Sequence, residues 1–508
     1  MKAAVFCDPV VFERLAGLKM RDSQIIRTYG EGFLEVKHGV KVLHVKGDAY
    51  DRGYLHGQLL AEEISFLIPR VLESAALVIA KTIDCGFKTA QEKMIIGKNS
   101  AEKYIPIEFL EEMRGITDGI SSQGYPLSFE DVFLWNTIYD QWCLYAHPKY
   151  SSPNNLSDKN RIPSDIKTGS FLIEGAGCSS FSAWGDAVEG EDLIFGKNMD
   201  NLNLPGLLEN RIMVVAKPSK GYGHSFITHP GMIGIDGGIN EAGLCMMTQY
   251  NASTHETMHG CGIGIFTRLI LSYAKKIEEA EDILKSFPRC TGIAYHVAGA
   301  EQKHAAITEA SASQVCLRFP DPSQNILWTS NHSNCYPGWL NYTGYNYVQD
   351  QAPVYGMSDV SSIDKWQNSL RDYKNINLPA PGRFERYREL LNEFYGKLNP
   401  DIAIQILSDR YDPFTRKTRQ KNKPSTSNNR LATICALYPD YTFAKEDYSN
   451  TFKAHISNLW SAVFMPSSGD IYLAIKDFPA QYGGYEHFNL HYELGRSCGI
   501  RGLNAAKN

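Results

Sequence analysis

The sequence lacks several things, and each absence closes off a class of protein. No unbroken apolar run approaches the roughly 18 residues that a membrane-spanning helix requires, so a transmembrane segment is excluded. The N-terminus, MKAAVFCDPVVFERLAG, has a short apolar stretch that Asp8, Glu13 and Arg14 interrupt, which does not make a signal peptide. A cytoplasmic location is the resulting expectation. There is no excess of positive charge: 51 Lys and Arg face 56 Asp and Glu, a net charge of −5 that gives no electrostatic reason for a nucleic-acid partner. The eleven cysteines are odd in number and contain no C-x-x-C pair. Without a secretion signal, most are expected to be reduced and buried as small apolar side chains.

A large core, by contrast, is well supplied. Hydrophobic residues make up 43% of the 508 and charged residues 21%, a globular and not a disordered composition. The length suits two to four units, or one large unit with insertions, at the usual ~150 residues per domain. The first ~145 residues read mainly as helix, by the apolar spacing of 50–77, 109–120 and 129–144. In the first of these, Gly53 and Gly57 share a helix face, which either admits a second backbone at close range or weakens the helix start. Residues 147–176 are rich in Ser, Asn, Pro and Asp and read as an exposed linker. From residue 178 the pattern becomes strand-like, with short apolar runs at 180–184, 193–196, 212–216, 243–250, 293–298, 305–309, 315–319, 432–438, 461–465 and 471–475. Helical stretches at 266–287 and 384–407 interrupt them. The expected division is therefore 1–177, mostly helical, and 178–508, mixed α and β, with no internal repeat.

His255-Glu256-Thr257-Met258-His259 matches the zinc motif H-E-x-x-H. That chemistry needs both histidines on one helix face. Asn251-Ala252-Ser253-Thr254 before the motif and Gly260, Gly262 and Gly264 after it read as loop, and residue 265, where a third histidine would fall, is Ile265. No metal is expected. The glycines of 231–238 lack dinucleotide spacing and suit tight strand turns.

Cys178 stands where the linker meets the first strand, after Gly175-Ala176-Gly177. A thiol attacks only as thiolate and so needs a base or a cationic neighbour. Cleavage of the bond before it would free its own α-amine, whose ordinary pKa near 8 suits it to accept the thiol proton. Gly177, without a Cβ, tolerates attack on its own carbonyl.

The run CSSFSAWGDAVEGEDLIFGKNMDN, a cysteine, a strand, a turn and a second strand ending in G-K-N-x-D, resembles the start of the catalytic chain of N-terminal nucleophile (Ntn) hydrolases. Gly47–Gly57 (GDAYDRGYLHG), Gly238–Leu244 (GINEAGL), Trp328–His332 (WTSNH) and Gly382–Arg386 (GRFER) continue the match in order. Together they resemble the acyl-coenzyme A:6-aminopenicillanic acid acyltransferase family, related to choloylglycine hydrolase and acid ceramidase. The resemblance implies a four-layer αββα sandwich preceded by the mostly helical segment, an α+β fold. It implies self-cleavage at Gly177–Cys178, with the released N-terminal part staying bound as a subunit.

Residue by residue, it implies that Cys178 is the nucleophile, Asp200 the anchor of the freed amine, and Asn331 an oxyanion donor. Arg383 would supply positive charge near the thiol. A further polar residue after the G-L turn would complete the site, either Gln249 or Asn251, with Asn251 preferred. Lys197 stands where choloylglycine hydrolases carry arginine, a point charge in place of a planar fork. The implied substrate is a small linear acyl amide, or an acyl thioester, whose acyl group passes through Cys178 to water or an amine. No metal or organic cofactor is required by that chemistry. Three rivals stand beside it. A zinc peptidase would use His255 and His259 and hold bound metal. A papain-like hydrolase would use Cys178 and His332 on an intact chain. A non-catalytic relative would bind acyl ligands with an inert thiol.

Overall fold

The computed structural model of the chain describes residues 23–146, 177–190, 192–251, 256–320, 323–331, 379–425, 431–438, 441–445 and 450–496. The linker 147–176, His255 and His332 lie outside these residues.

Three strands come first: β1 (Ser23–Tyr29), β2 (Gly32–Lys37) and β3 (Val40–Gly47). Five helices follow: α1 (Ala49–Leu59), α2 (Ala61–Thr82), α3 (Phe87–Glu102), α4 (Ile107–Ser122) and α5 (Phe129–Ala146). Beyond the linker run β4 (Ser179–Trp184), β5 (Leu193–Leu202), β6 (Ile212–Pro218), β7 (His224–Thr228), β8 (Gly237–Asn240) and β9 (Leu244–Tyr250). Helices α6 (Ile263–Tyr273) and α7 (Ile277–Ser286) lead to β10 (Ile293–Gly299), β11 (His304–Ala310), β12 (Val315–Arg318) and β13 (Ile326–Thr329). Helices α8 (Pro379–Glu393) and α9 (Pro400–Leu407) come next. Two small hairpins follow, β14 (Tyr411–Asp412) with β15 (Lys417–Thr418), and β16 (Tyr441–Ala444) with β17 (Thr451–Ala454). The described chain ends with β18 (Ile456–Met465), β19 (Asp470–Ala474), β20 (Glu486–Asn489) and α10 (Leu490–Gly495).

The strands form a ten-stranded sheet, ordered β1-β2-β3-β6-β7-β8-β9-β10-β11-β12, and a six-stranded sheet, ordered β13-β4-β5-β18-β19-β20. Side-chain alternation fixes how they stack. On β10, His296 bonds Ser180 and Ser182 of β4 at 2.8 Å each, while the next residue, Tyr295, packs edge-on against Phe266 of α6. On β4, Ser180 and Ser182 face the large sheet, while Phe181 packs against Tyr387 of α8. Along this line the contacts therefore run helix, sheet, sheet, helix. The chain is an α+β protein with a helical N-terminal segment, and no described helix is long and apolar enough to cross a membrane.

The N-terminal part is not only helical. Its first three strands extend the large sheet, β3 lying parallel to β6 from Val42↔Met213 to Gly47↔Pro218. The expected helix over 50–77 breaks at Leu60, and α3 lies where no apolar period marked a helix. Residues 432–438, expected as a strand, form only an isolated bridge at Leu437. Their backbone donors go elsewhere: Ala432 to Asp412 Oδ2, Cys435 to the Asp409 carbonyl and Ala436 to Asn458 Oδ1.

Helices α1 and α4 cross with their backbones touching. A Cβ on Gly53 would stand 1.9 Å from the Glu112 carbonyl oxygen, and one on Gly57 2.2 Å from that of Ile116. The close-approach reading of these two glycines is the correct one. No side chain fits at that crossing, so the two helices form one rigid unit.

Candidate active site

Cys178 immediately precedes β4, where the two sheets meet α5, and is 8% exposed. It lines a cavity of about 70 Å³ together with Gly177, Met199, Asp200, Asn201, Asp236 and Asn331. Tyr139, Trp142 and Cys143 of α5 form one wall, and Ile235, Tyr250, Ile263 and Ile293 extend the apolar lining. The local sequence explains the nucleophile's position. β4 and β5 pair from Ser179↔Asn198 to Trp184↔Leu193, so the hairpin brings the end of β5 back beside the residue before β4.

Burial pushes the Cys178 thiol up to about 11, against the pull of the Lys197 ammonium and of the Asp200 backbone N–H. Lys197 on β5 is fully buried and donates to the Thr248 carbonyl across the sheets. The Lys197 charge thus favours the thiolate. Arg383 makes contacts of its own beside the site. Its guanidinium, fully buried on α8, donates to Asn331 Oδ1 at 2.7 Å and to the Tyr438 hydroxyl at 3.4 Å. It also lies 3.5 Å from Asp200 Oδ2.

That arrangement fixes Asn331. With Oδ1 held by Arg383, the amide nitrogen must point the other way, and one of its two hydrogens goes to the Tyr250 carbonyl at 2.9 Å. Asp200 accepts from Asn458 at Oδ1. Burial pushes its carboxyl up to about 7, although Arg383 and Asn458 favour the anion. Cys178, Asp200 and Asn331 thus line one cavity, with Arg383 bonded to Asn331 and near Asp200, and with the Lys197 charge acting on the thiol.

Gln249 and Asn251 separate clearly. Gln249 donates to Ser180 at 2.7 Å, within the polar layer between the sheets that also holds His296. Asn251 is fully buried, and neither polar atom of its amide has a hydrogen-bond partner among the described residues. Glu256–Gly260 form loop and not helix, so the H-E-x-x-H pattern lacks the helical face that zinc would need.

Asp236 was not foreseen. It follows the glycine-rich 231–235 segment, which the sequence marks only as a turn. Its backbone is left-handed, with φ 53°, a conformation disfavoured for a residue with a Cβ. The N-terminal part grips the loop that imposes this. His56 accepts from the Gly231 N–H at 2.9 Å, Asn136 holds the Gly231 carbonyl and the Ile233 N–H at 2.9 Å each, and Trp135 donates to the Pro230 carbonyl at 3.1 Å. Burial pushes the Asp236 carboxyl up to about 6, with Lys197 opposing. The one local signal was an acid within a glycine run.

An Ntn-hydrolase-type family defines the class. The chain belongs to the acyl-coenzyme A:6-aminopenicillanic acid acyl-transferase family, whose model matches residues 188–444. The match contains Lys197, Asp200, Asp236, Gln249, Asn251, Asn331 and Arg383, and begins after Cys178. Among curated relatives, an uncharacterized protein from Archaeoglobus fulgidus is 26% identical over 386 residues, 75% of this chain and 59% of that protein. Protein dcd1B from Dictyostelium discoideum is 26% identical over 294 residues, 54% of this chain and 51% of that protein. The chain thus spans between half and three fifths of the length of these relatives.

Solved structures with some similarity include a mutant conjugated bile acid hydrolase from Clostridium perfringens, at TM-score 0.36 and 11% identity over 63% of this chain and 96% of that one. Penicillin V acylase from Agrobacterium tumefaciens gives 0.33 and 16%, over 59% and 83% of the two chains. The N-acylethanolamine-hydrolyzing acid amidase ortholog from Caenorhabditis elegans gives 0.32 and 15%, over 57% and 93%.

Proposed function

We propose that the protein is a self-cleaving N-terminal-cysteine amidohydrolase or acyltransferase acting on a linear acyl amide. The observation that carries this reading is the convergence of Cys178, Asp200 and Asn331 on one cavity, with Arg383 bonded to Asn331 and near Asp200 and with the Lys197 charge acting on the thiol.

In the intact chain burial favours the protonated thiol, so its attack on the adjoining Gly177 carbonyl must pass that proton to the departing Cys178 nitrogen. Cys178 Sγ attacks the Gly177 carbonyl, the peptide C–N bond breaks, and water hydrolyses the resulting thioester. Gly177 is left with a carboxylate and Cys178 with a free α-amine beside its thiol. That amine accepts the thiol proton, and as an ammonium at close range it favours the thiolate. Asp200 Oδ2, which has no hydrogen-bond partner among the described residues, is the acceptor that would hold it.

The thiolate then attacks the substrate carbonyl. The second hydrogen of the Asn331 amide, and the Asn251 amide, would meet the developing oxyanion. The α-ammonium returns its proton to the leaving amine, and the acyl-thioester passes its acyl group to water or to a second amine. The apolar and aromatic wall of the cavity suits an acyl group over a charged phosphate or sugar. The N-terminal part would stay bound after cleavage, since β1–β3 are built into the large sheet and α5 forms a wall of the cavity.

The test is intact-mass analysis of the wild type beside Cys178→Ala. Two fragments, one ending at Gly177 and one starting at Cys178, are expected from the wild type alone. An uncleaved wild-type chain with an unreactive thiol would overturn the proposal.

A further inference from the structure

The cavity holds a carboxylate that the proposed mechanism does not use. Asp236 is 93% buried by its 7% exposure, and it lines the cavity beside Cys178. Its Oδ1 lies 3.5 Å from the Thr248 hydroxyl, at the limit of a hydrogen bond. Its Oδ2 has no hydrogen-bond partner among the described residues, and no cation lies within ion-pair distance of it there. Buried carboxylates are ordinarily satisfied, because an unmet one costs several times a typical hydrogen bond. This one is held by force. The left-handed backbone of Asp236 belongs to a loop fixed by His56, Asn136, Trp135 and Arg268. Strain of this kind persists where the surroundings over-determine it, and it clusters at ligand sites.

The same cavity is lined by the aromatic residues Tyr139, Trp142 and Tyr250. Aromatic faces carry negative quadrupole potential, so rings plus one carboxylate make a receptor for a cation. Lys197 acts on Asp236 through its charge without an ion-pair contact, so a neutral aliphatic arm would leave Oδ2 without a hydrogen bond that an ammonium would supply. Selectivity through a polar group left unpaired by the wrong ligand is stronger than selectivity through apolar fit.

We propose that Asp236 is a specificity-determining residue that binds an ammonium group on the acyl arm of the substrate, so that the preferred substrates are short aminoacyl amides. The inference rests on the proposed acyl-amide chemistry at Cys178.

Shape-matched substrate pairs test it. β-Alanyl-4-nitroanilide and butyryl-4-nitroanilide differ essentially in an ammonium replacing a methyl, and glycyl- and propionyl-4-nitroanilide form a second pair. Release of 4-nitroaniline by the mature wild-type protein is expected to favour the aminoacyl member of at least one pair by about tenfold or more in kcat/KM. Asp236→Asn should collapse that ratio towards one, and Trp142→Leu should reduce it severalfold. If Asp236→Asn does not mature, the wild-type ratio and the Trp142 variant decide. Equal rates within both wild-type pairs would overturn the inference. So would an Asp236→Asn variant that slows both members by the same factor, which would make Asp236 a partner of the thiol or of the freed amine. Failure of the underlying chemistry looks different: no nitroaniline from any substrate and no acyl adduct on Cys178 by intact mass.

Discussion

Two clusters of buried charge, one behind α4 and one around Cys178, treat their carboxylates in opposite ways. Glu112 on α4 is satisfied at both oxygens. Arg268 donates to Oε1 at 2.8 Å and to Oε2 at 3.0 Å, and Arg52 donates to Oε2 at 2.8 Å. Burial alone would raise its carboxyl, but the two guanidinium groups outweigh it and hold it down to about 2. Asp200 and Asp236 are as deeply buried, yet each keeps one oxygen without a hydrogen bond among the described residues, and burial pushes them up to about 7 and about 6. The difference lies in the number of donors and not in depth. A completed network specifies structure, while an incomplete one is costly to the fold and is retained where a further group must enter.

The sharpest way to break this contrast is to remove one acid from each cluster. Glu112→Gln leaves Arg52 and Arg268 facing each other without a counter-charge in the interior. Removing one partner of a buried ion pair typically costs about 3–5 kcal/mol, so a large fall in thermal midpoint is expected, measured by calorimetry or circular dichroism. Asp200→Asn should cost less. It relieves a carboxylate whose burial is incompletely met, but it also takes the counter-charge from buried Arg383, which keeps its bond to Asn331. The fall in stability should therefore be smaller than for Glu112→Gln, while turnover falls by about a hundredfold or more as the freed amine loses its anchor. If both variants lose stability equally, the two clusters do not differ in kind.

The pH dependence sharpens the same comparison. A carboxyl whose value rises on folding binds its proton more tightly in the folded state, so it lowers stability as pH rises through the interval between its ordinary and folded values. Asp236 does this between about 4 and 6 and Asp200 between about 4 and 7, each by about 1.4 kcal/mol per pH unit at most. Glu112 acts in the opposite sense. Its contribution is present above about 4.5 and is lost as pH falls towards 2. The two clusters therefore have opposite slopes. The buried histidines, with His56 and His229 pushed down to about 4, add stability with rising pH over the upper interval, so the comparison is read between variant and wild type. Asp236→Asn should gain stability relative to wild type between about pH 4 and 6 and leave the difference unchanged below about pH 4, as read from urea unfolding across pH.

How much of this was legible follows from the range of each interaction along the chain. The β4–β5 hairpin, with Cys178 at its start and Lys197 and Asp200 on its second strand, is local, and its alternating apolar pattern shows in the sequence. Asn331 and Arg383 carry no local signal of a site and were legible only through resemblance. The Gly53 and Gly57 spacing suggested a close crossing, but nothing in it identified α4 as the partner. Strand β1 was hidden because most of its residues are half or fully exposed and it lacks clean alternation. The Glu112–Arg268 pair joins residues 156 positions apart, so no window of sequence contains it. Asp236 was masked by its own glycines: the turn they mark is real, and the acid within it owes its place to His56 and Asn136 on distant helices.

A third acid cluster offers the smallest and finest test, since it ties the first strands to the end of the described chain. Glu35 on β2 is fully buried and bonds His44 of β3 at 3.0 Å, with Ser23 and Arg496 also donating to it. Glu493 on α10 meets Lys37 of β2, and lies 3.7 Å from Arg496 and 3.8 Å from His44. Burial would raise the Glu35 carboxyl, but its donors hold it down to about 2, so Glu35 belongs with Glu112 and not with the cavity acids. Arg496 differs from Arg268 in one respect: its side chain is 18% exposed and water already meets part of its charge. Arg496→Gln should therefore cost only about 1 kcal/mol, well below the effect at Glu112, because His44, Ser23 and Lys37 remain to hold the two acids. The loss should be largest above pH 4.5, where Glu35 is charged in both folded and unfolded chains, and should fade towards pH 2 as its proton returns. A loss as large as that of Glu112→Gln would mean that this clasp depends on a single cation, and that donor count does not rank the clusters.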